Sequence, residues 1–352
     1  MSVPRITLAP GYDISRIVKG GWQLAGGHGA VDAAAAVEDM ARFVDAGITT
    51  FDCADIYTGV EALIGRFLAG RGTGATPVQV HTKYVPDRSR LATCGEADVA
   101  TAVDRSLTRL GVERLDLVQF HWWDYDIPRW RDVAEALVRQ QRAGKVRHIG
   151  LTNFDTAHVT ALVDAGVPVV SHQVQYSLLD VRPATTMARA CTDHGIRLLC
   201  YGALAGGFLS ERWLGQPEPP FPHANRSLTK YHLIIEEFGG WARFQRLLHA
   251  LASVARRHGV ALGAVAIRWV LDRPQVGATI VGATSARHLA ATIAAASLVL
   301  DGDDRAAIEA AIGPRRGPDG DVYALERVKD GRHAGIMRYE LNTAAPGGSS
   351  GA

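Results

Sequence analysis

Residues 115–123 read LDLVQFHWW, and the stretches TTFDCADIY at 49–57 and VQVHTKY at 78–84 have the same form. Each is a short run rich in apolar residues that ends in polar, chemically active side chains. Near-continuous apolar runs are typical of parallel strands that are buried on both faces. Functional side chains at the carboxyl ends of such strands are typical of (β/α)8 barrels. These stretches therefore predict an α/β fold, a TIM barrel with its active site at one end.

The same alternation of strand-like and helix-like segments extends along the chain. It repeats eight times, which is the pattern of βα units joined by right-handed crossovers. The predicted strands are 17–24, 49–54, 78–83, 115–122, 146–153, 169–176, 196–202 and 278–282. The predicted helices between them are 33–46, 60–68, 97–110, 128–143, 157–165, 183–194 and 245–258. Several helices stop at a glycine, the residue that most easily takes the left-handed conformation that ends a helix.

Four segments lie outside this repeat. Residues 5–17 predict a hairpin around Pro10-Gly11 that crosses the bottom of the barrel. The loop after strand seven, residues 205–240, contains PEPPFP and is long enough to form a lid over the top. Extra helices are predicted at 262–272 and 303–312. We therefore expect one barrel domain over residues 1–312.

Residues 313–352 form a C-terminal extension to this domain. The segment DVYALERVKDGRHAGIMRYEL carries a turn signal at Asp330-Gly331, whereas the final PGGSSGA is typical of a flexible chain. We expect the extension to be partly ordered and then flexible.

The composition excludes several classes of protein. Apolar residues make up 47% of the chain and charged residues 21%, which is typical of a globular protein. The net charge of +2 comes without a basic stripe, so nucleic acid is not an expected partner. No segment approaches the roughly 20 apolar residues of a membrane span. The cysteines are too scattered for a disulfide framework or a metal site, so we expect free thiols, no metal and a cytoplasmic location.

The polar residues at the strand ends form a chemically coherent set. Asp52, Tyr57, Lys83 and His121 follow the second, third and fourth predicted strands. A phenol is a weak acid until a nearby ammonium stabilises its phenolate and a carboxylate holds that ammonium in place. His121 would donate a hydrogen bond to a substrate carbonyl. This set predicts a proton-coupled reduction, and the alternative is an unrelated barrel enzyme in which these residues are structural.

The ordered motifs extend this interpretation. They are GGWQL at 20–24, FDCADIY at 51–57, HTK at 81–83, QFHWW at 119–123, GLTNF at 150–154, HQVQYSLLD at 172–180 and YGALAGG at 201–207. In this order the chain resembles the aldo-keto reductase superfamily from about residue 5 to residue 312. The resemblance implies an NADP(H)-dependent oxidoreductase that interconverts a small carbonyl compound and its alcohol. It also implies that Tyr57 is the general acid, Lys83 and Asp52 its tuning pair, and His121 the orienting residue.

The resemblance assigns further residues to the cofactor and substrate. Asn153 and Gln173 would bind the carboxamide, and Tyr201 would stack on the nicotinamide. Loops after the last two barrel strands are the usual phosphate site of such barrels. The predicted cofactor residues are Gly21, Trp22, Thr152, Asn153, Gln173, Tyr201, Gly202, Ala203, Leu204, Gly206, Gly282, Thr284, Ser285, Arg287 and His288. Trp22 and Trp122 are predicted as walls of the substrate pocket.

The predicted identity of the cofactor rests on two basic residues after the last barrel strand. Arg287 and His288 are suited to neutralise a 2′-phosphate, although Ala291 and Thr292 stand where the family commonly has a Glu-Asn pair for adenine. NADP(H) is therefore predicted ahead of NAD(H). The aromatic mouth suits an apolar or aromatic carbonyl, or a sugar-like ketone.

A binding subunit is the alternative from another functional class. The superfamily includes potassium-channel β subunits, which hold a nucleotide tightly and act on a partner. A long lid and a C-terminal extension would suit such a cofactor-bound sensor with slow turnover. The sequence leaves the oligomeric state open.

Overall fold

The fold is seen in a computed structural model that describes residues 3–27, 29–314 and 317–342. The strands in these ranges are β1 Arg5–Ala9, β2 Tyr12–Ser15, β3 Ile17–Gly20, β4 Thr50–Asp52, β5 Gln79–Tyr84, β6 Leu115–Phe120, β7 Val146–Thr152, β8 Val169–Gln175, β9 Arg197–Tyr201 and β10 Val276–Gly282. The α-helices are α1 Ala33–Asp45, α2 Val60–Ala69, α3 Glu96–Leu110, α4 Trp130–Arg142, α5 Thr156–Asp164, α6 Thr186–Asp193, α7 Arg226–Phe238, α8 Trp241–His258, α9 Leu262–Leu271, α10 Leu289–Ser297 and α11 Gly302–Ile312.

Strands β3 to β10 close into a parallel barrel in which β10 pairs with both β9 and β3. The predicted (β/α)8 fold is confirmed, and each predicted barrel strand lies within a few residues of an observed one. The pairing of β5 with β6 sets Lys83 beside Gln119. Because all eight strands are parallel, their carboxyl ends meet at one end of the barrel, which is where the predicted functional residues lie.

The first barrel strand is shorter than predicted. It ends at Gly20, and residues Trp22–Leu24 form a 3-10 turn instead of continuing the strand. The backbone N–H of Gly21 donates to the carbonyl oxygen of Asp52 at 2.7 Å. A Cβ atom at Gly21 would lie 2.8 Å from that oxygen and 2.8 Å from a methyl group of Val60. Glycine is therefore required where the chain turns over the barrel rim.

The N-terminal hairpin closes the opposite end of the barrel, as predicted. Strands β1 and β2 pair antiparallel, and Leu8 and Ile14 join Leu117 in a small buried cluster. The hydroxyl of Tyr12 lies 3.1 Å from Nε2 of His81, inside the barrel. The hairpin thus excludes water from the bottom of the barrel.

The segment after β9 contains a helix that was not predicted. Helix α7 begins after Asn225, whose side chain accepts hydrogen bonds from two backbone N–H groups in the first turn. Its apolar side chains Ile234, Ile235 and Phe238 are fully buried. The long segment predicted after the seventh barrel strand is therefore partly helical. Helix α8 begins four residues before the predicted start at 245.

The C-terminal extension packs against loops at the carboxyl ends of the barrel strands. The side chain of Asn342 donates to the carbonyl oxygen of Val85 at 2.8 Å, and the backbone N–H of Thr156 donates to Asp321 at 2.8 Å. Buried Arg182 forms ion pairs with Asp180 and with Glu326 of the extension. Residues 317–342 of the extension thus contact the barrel loops, whereas the PGGSSGA segment lies outside the described residues.

Within the described ranges no single helix is long and apolar enough to cross a membrane. Helices α8 and α9 pass that test together by length and composition, but they are bent by 96° at the break between them.

Candidate active site

A buried ion pair lies at the centre of the carboxyl end of the barrel. The Nζ atom of Lys83 donates to Oδ2 of Asp52 at 2.6 Å and to the carbonyl oxygen of Cys53 at 2.8 Å. Each of the two side chains is about 5% exposed or less. Burial lowers the pKa of Lys83, but its attraction to Asp52 and Tyr57 outweighs burial and raises the pKa above its ordinary value. The lysine is therefore a permanent ammonium at physiological pH.

Two amide side chains donate hydrogen bonds to the other oxygen of the Asp52 carboxylate. Oδ1 of Asp52 accepts from Nε2 of Gln173 at 2.6 Å and from Nε2 of Gln119 at 2.9 Å. Nε2 of Gln173 also donates to Oε1 of Gln119 at 2.8 Å. Both N–H groups of Gln173 are thus used inside the protein, and only its Oε1 is left to meet a ligand. Gln119 was not predicted, although its position two residues before His121 on β6 places both on one face of the strand.

Tyr57 lies above this ion pair on the loop that follows β4. The Nζ atom of Lys83 is 5.0 Å from the centroid of the Tyr57 ring, and the ring of Trp22 packs against Tyr57 with centroids 5.0 Å apart. Burial raises the pKa of Tyr57, Lys83 lowers it and Asp52 raises it, with a net upward shift. The phenol is therefore protonated at neutral pH, as a general acid must be before it acts.

The structure gives His121 a different hydrogen-bonding capacity from the one predicted. Its Nδ1 lies 3.1 Å from the carbonyl oxygen of Thr152. A carbonyl only accepts, so Nδ1 carries a proton. Burial, and then the charge of Arg327, lower the pKa of His121 to about 3, so the ring is neutral. In this tautomer Nε2 has no proton to donate, and the role of His121 toward a substrate carbonyl stays a prediction.

Of the two tryptophans after His121, the second and not the first contacts the predicted site. Trp122 is fully buried, and its indole N–H donates to the carbonyl oxygens of Asp124 and Ile127 at 2.8 and 3.0 Å. Successive side chains near a strand end point to opposite faces, so Trp122 points away from the site that His121 faces. Trp123 instead packs edge-on against His121, with centroids 4.3 Å apart. The prediction of Trp122 as a pocket wall is therefore corrected, and Trp123 contacts the site.

The predicted nicotinamide residues lie side by side at the ends of β7, β8 and β9. Asn153 has a left-handed backbone, with φ of 59°, and its backbone N–H donates to the carbonyl oxygen of Gln173 at 3.0 Å. The hydroxyl of Tyr201 donates to Oδ1 of Asn153 at 2.9 Å. Tyr201 and Asn153 are only half-buried. An aromatic face and an amide are therefore available to a planar ring at this end of the barrel.

A sequence model of the Aldo/keto reductase family matches residues 16–312 of this barrel. The chain belongs to the aldo/keto reductase family. The family is one of oxidoreductases, so the chain is an oxidoreductase by descent.

Individual relatives of this aldo/keto reductase are distant. Flagellar radial spoke protein 5 of Chlamydomonas reinhardtii is 32% identical over 62% of this chain, and the match spans 49% of that protein. Chloroplastic pyridoxal reductase of Arabidopsis thaliana is 30% identical, with 75% of this chain and 72% of that protein covered. Aldo-keto reductase YhdN of Bacillus subtilis is 26% identical, with 84% and 89% covered.

The fold is shared with a solved structure of a glycerol dehydrogenase from Gluconobacter oxydans. The TM-score is 0.74 at 23% sequence identity, and the match covers 90% of this chain and 96% of that one. At this identity the comparison concerns the barrel alone.

The predicted phosphate loops of this aldo/keto reductase contain glycines at positions of close approach. Gly202 and Gly206 have φ of +80° and +65°, and a Cβ atom on either would lie within 2.7 Å of the Tyr231 side chain from α7. The backbone turns tightly there, since the N–H of Ala205 donates to the carbonyl oxygen of Gly202 at 2.7 Å. Ala203 is buried and Leu204 half-buried within the same turn. Sequence reasoning identified the glycines but not Tyr231.

The second predicted phosphate loop follows β10 and is open to solvent. Exposed side chains and backbone from this loop are Gly282, Thr284, Ser285, Arg287 and His288. The hydroxyl of Ser285 accepts from the backbone N–H of Arg287 at 3.4 Å and begins a short 3-10 turn. The donor set of backbone N–H groups, hydroxyls and an exposed guanidinium fits a phosphorylated nucleotide. The glycine-rich turn after β9 and the ring of Tyr201 fit the rest of such a cofactor.

Helix α7, which lies in the segment predicted as a lid, and the C-terminal extension, whose docking place was not predicted, border the predicted catalytic residues. The indole N–H of Trp22 donates to the hydroxyl of Ser227 in α7 at 3.1 Å. The ring of Tyr323 in the extension meets His121 edge-on, with centroids 5.7 Å apart. The guanidinium of Arg327 donates to the carbonyl oxygen of Trp122 at 2.9 Å. The candidate site is therefore bounded by the barrel, α7 and the extension.

Proposed function

We propose that this aldo/keto reductase reduces an aldehyde or ketone to the alcohol with NADP(H), and catalyses the reverse oxidation when the alcohol and oxidised cofactor are in excess. The observation that carries the proposal is the buried Lys83–Asp52 pair beneath the half-buried phenol of Tyr57. An ion pair removed from water costs free energy of desolvation. Its placement beneath a phenol supports a role in tuning that phenol's acidity.

In the proposed reduction, Tyr57 donates its hydroxyl proton to the carbonyl oxygen of the substrate. The C=O double bond becomes a C–O single bond, and Tyr57 is left as a phenolate. The Lys83 ammonium stabilises that phenolate, because an opposite charge close by favours the ionised form. Asp52 holds the ammonium in position and is itself held by Gln119 and Gln173. A proton from solvent then restores Tyr57.

The cofactor would be held by the residues that border Tyr57 along the top of the barrel. Tyr201 would contact the nicotinamide ring, and Asn153 with Oε1 of Gln173 would contact its carboxamide. The turn at Gly202–Gly206 and the loop from Gly282 to His288 would hold the phosphates. A nicotinamide cofactor bound in this way supplies the hydride that reduces the carbonyl carbon.

The proposed preference for NADP(H) rests on the second phosphate loop. Arg287 and His288 are both exposed, and Nε of Arg287 donates to Nε2 of His288 at 3.2 Å. A guanidinium can bind the 2′-phosphate of NADPH through two parallel hydrogen bonds. The ribose 2′-hydroxyl of NADH is uncharged and forms no ion pair with a guanidinium. Arg287→Ala should therefore weaken NADPH binding more than NADH binding, as measured by quenching of protein fluorescence.

Tyr57→Phe tests the proposed reaction. We expect kcat/KM for NADPH oxidation with an aromatic aldehyde to fall about 10²- to 10⁴-fold, because proton transfer by a positioned acid is worth that much. The Kd for NADPH should not change. Tyr84→Phe is the matched control, since Tyr84 is the neighbour of Lys83 on β5 and its hydroxyl faces Cys94 at 3.0 Å.

Two outcomes would overturn the proposal. Retention of wild-type turnover by Tyr57→Phe would show that this phenol is not the acid. Binding of NADPH by the wild type with no turnover of aromatic aldehydes, quinones or keto-sugars would instead indicate a cofactor-bound sensor.

A further inference from the structure

The loop that carries Tyr57 is fastened to the strand that carries Lys83. Asp55 lies two residues before Tyr57, and its backbone N–H donates to the carbonyl oxygen of Lys83 at 3.3 Å. The backbone N–H of Val85 donates to Oδ2 of Asp55, also at 3.3 Å. The loop itself turns tightly, since the N–H of Tyr57 donates to the carbonyl oxygen of Ala54 at 3.0 Å. The two bonds of Asp55 therefore limit how far Tyr57 can move from Lys83.

The carboxylate of Asp55 is buried and only partly compensated. Its side chain is 1% exposed, and Oδ1 has no hydrogen-bond partner in the described ranges. Burial, and then the charge of Glu61, raise the pKa of Asp55 to about 8, whereas Val85 and Arg105 lower it. Nη2 of Arg105 lies 3.7 Å from Oδ2 of Asp55. The charge of Arg105 thus favours the ionised carboxylate, which accepts a stronger hydrogen bond from Val85 than the neutral acid does.

Arg105 is held beside Asp55 by the C-terminal extension. The Arg105 side chain lies on α3 and is 34% exposed, so fixing it in one rotamer costs conformational entropy. The same Nη2 atom donates to Oδ1 of Asn342 at 2.9 Å. Nδ2 of Asn342 donates to the carbonyl oxygen of Val85 at 2.8 Å and to Oδ1 of Asp87 at 3.1 Å. Asn342 therefore joins Arg105 to the segment that follows β5.

A second arginine of α3 holds the Tyr57 loop without the extension. Nη1 of Arg109 donates to the carbonyl oxygen of Asp55 at 3.1 Å and to Oε2 of Glu61 at 3.2 Å. Oε1 of Glu61 accepts from the hydroxyl of Thr82 at 2.6 Å. The loop should therefore stay folded when Asn342 is replaced, and only the bonds between Asp55 and the end of β5 should weaken.

We propose that Asn342 and Arg105 are positioning residues, through which the C-terminal extension holds Tyr57 close to Lys83. The contacts run from Asn342 to Arg105, from Arg105 to Asp55, and then along two residues of chain to Tyr57. A displaced phenol would be less well aligned with the substrate carbonyl and would gain less from the Lys83 ammonium. The inference rests on the proposed role of Tyr57 as the general acid.

Asn342→Ala tests the proposal. We expect kcat/KM for carbonyl reduction to fall about 10- to 100-fold, as a small displacement of a reacting group can cause, while the Kd for NADPH stays unchanged. The pH–rate profile of alcohol oxidation should move to higher pH by about 0.5–1 pH unit, which is part of the effect of an opposite charge within about 4–6 Å. A variant that was merely less folded would lose rate equally at every pH.

Glu340→Ala is the matched control. Glu340 lies two residues before Asn342 and accepts from the backbone N–H and the hydroxyl of Ser89 at 2.9 and 2.6 Å. These bonds hold the same segment of the extension but do not involve Arg105 or Asp55. Glu340→Ala should therefore keep kcat/KM and the pH–rate profile close to those of the wild type.

Arg105→Met tests the same set of contacts at its second step. Because Arg105 is partly exposed, the variant should fold, and it should reproduce both effects of Asn342→Ala. Two changes in one series of contacts are not additive. When Asn342→Ala is added to Arg105→Met, kcat/KM should therefore change by less than about 2-fold.

The outcomes separate this inference from the function on which it rests. An unshifted pH–rate profile in Asn342→Ala, or an equal response to Glu340→Ala, would overturn the inference and leave Tyr57 as the acid. Additive losses in the double variant would overturn the role of Arg105. Wild-type turnover by Tyr57→Phe would refute the proposed function and, with it, the inference.

Discussion

Replacement of Lys83 by methionine would separate the structural and the catalytic roles of the buried ion pair. Methionine has nearly the length of the lysine stem but no charge and no N–H donor. The change removes the bond of 2.6 Å to Asp52 and the bond of 2.8 Å to the carbonyl oxygen of Cys53. Asp52 would keep two amide donors from Gln119 and Gln173 but would lose its only ion-pair partner among the described residues.

The expected loss of stability is large for a single substitution. Breaking a buried ion pair by removing one partner costs about 3–5 kcal/mol, because the remaining charge stays buried without compensation. Both side chains here are about 5% exposed or less, so solvent would do little to screen the carboxylate. The double variant Lys83→Met/Asp52→Asn removes that charge and keeps a carbonyl oxygen for the two amides. It should recover more than half of the lost free energy.

Catalysis should respond differently from stability. Both variants lack the ammonium, so kcat/KM for reduction should fall about 10²- to 10⁴-fold in each. Lys83 lowers the pKa of Tyr57 in the wild type, so its removal should raise that pKa. Alcohol oxidation requires the phenolate, and its pH–rate profile should move to higher pH in any residual activity.

Guanidinium chloride unfolding followed by circular dichroism measures the loss of stability. NADPH oxidation with a carbonyl substrate measures the fall in kcat/KM, and NADP⁺ reduction by an alcohol at several pH values gives the pH–rate profile. The reasoning is refuted if Lys83→Met is as stable as the wild type, or if the double variant is as unstable as the single one. An unchanged pH–rate profile for alcohol oxidation would refute the tuning role alone.

Three further predictions concern parts of the structure that support the site. Gly202→Ala places a Cβ atom 2.6 Å from the hydroxyl of Tyr231 at a backbone φ of +80°. The free energy of unfolding, measured in urea, should therefore fall by at least about 1–3 kcal/mol. Addition of Tyr231→Phe should recover part of this loss. Burial lowers the pKa of His172 to about 4. The stability that the neutral histidine contributes is complete above about pH 6.5 and is lost as the pH falls toward 4. Between these pH values, His172→Gln should reduce the slope of the unfolding free energy against pH by about 1.4 kcal/mol per pH unit. Arg182→Met leaves the buried carboxylate of Glu326 without its closest ion pair and should increase hydrogen exchange throughout residues 317–342.

Each of these predictions has a clear contrary result. Full stability of Gly202→Ala would show that Tyr231 and α7 move aside without cost. A His172→Gln variant that loses stability with pH as steeply as the wild type would show that this histidine titrates normally in the folded state. Exchange of the extension should be unaffected by Lys329→Ala, which removes only an exposed ion pair with Asp126. An equal response to Arg182→Met and Lys329→Ala would exclude the buried ion pair as the anchor.

Much of the barrel and of the polar set at its carboxyl end was predictable because both depend on local patterns. Apolar runs of strand length, alternating with amphipathic segments that end at glycine, specify βα units one at a time. Closure of a parallel sheet then brings every strand end to the same side, so Asp52, Lys83 and His121 converge whatever the details of their loops. The alternation of side chains at the end of β6 also contained the information that separates Trp122 from His121, since neighbouring residues in an extended chain face opposite sides.

The sequence by itself determined the barrel, the order of its strands and the ring of polar residues around Tyr57, because periodicity and strand direction are properties of short segments. Only the tertiary structure decided what surrounds that ring. Helix α7 and residues 317–342 reach the site through contacts between residues far apart in the chain, such as Trp22 with Ser227 and His121 with Tyr323. The proton position on His121 depends on the Thr152 carbonyl of the next strand. Such contacts are set by the packing of the whole chain, and no local pattern records them.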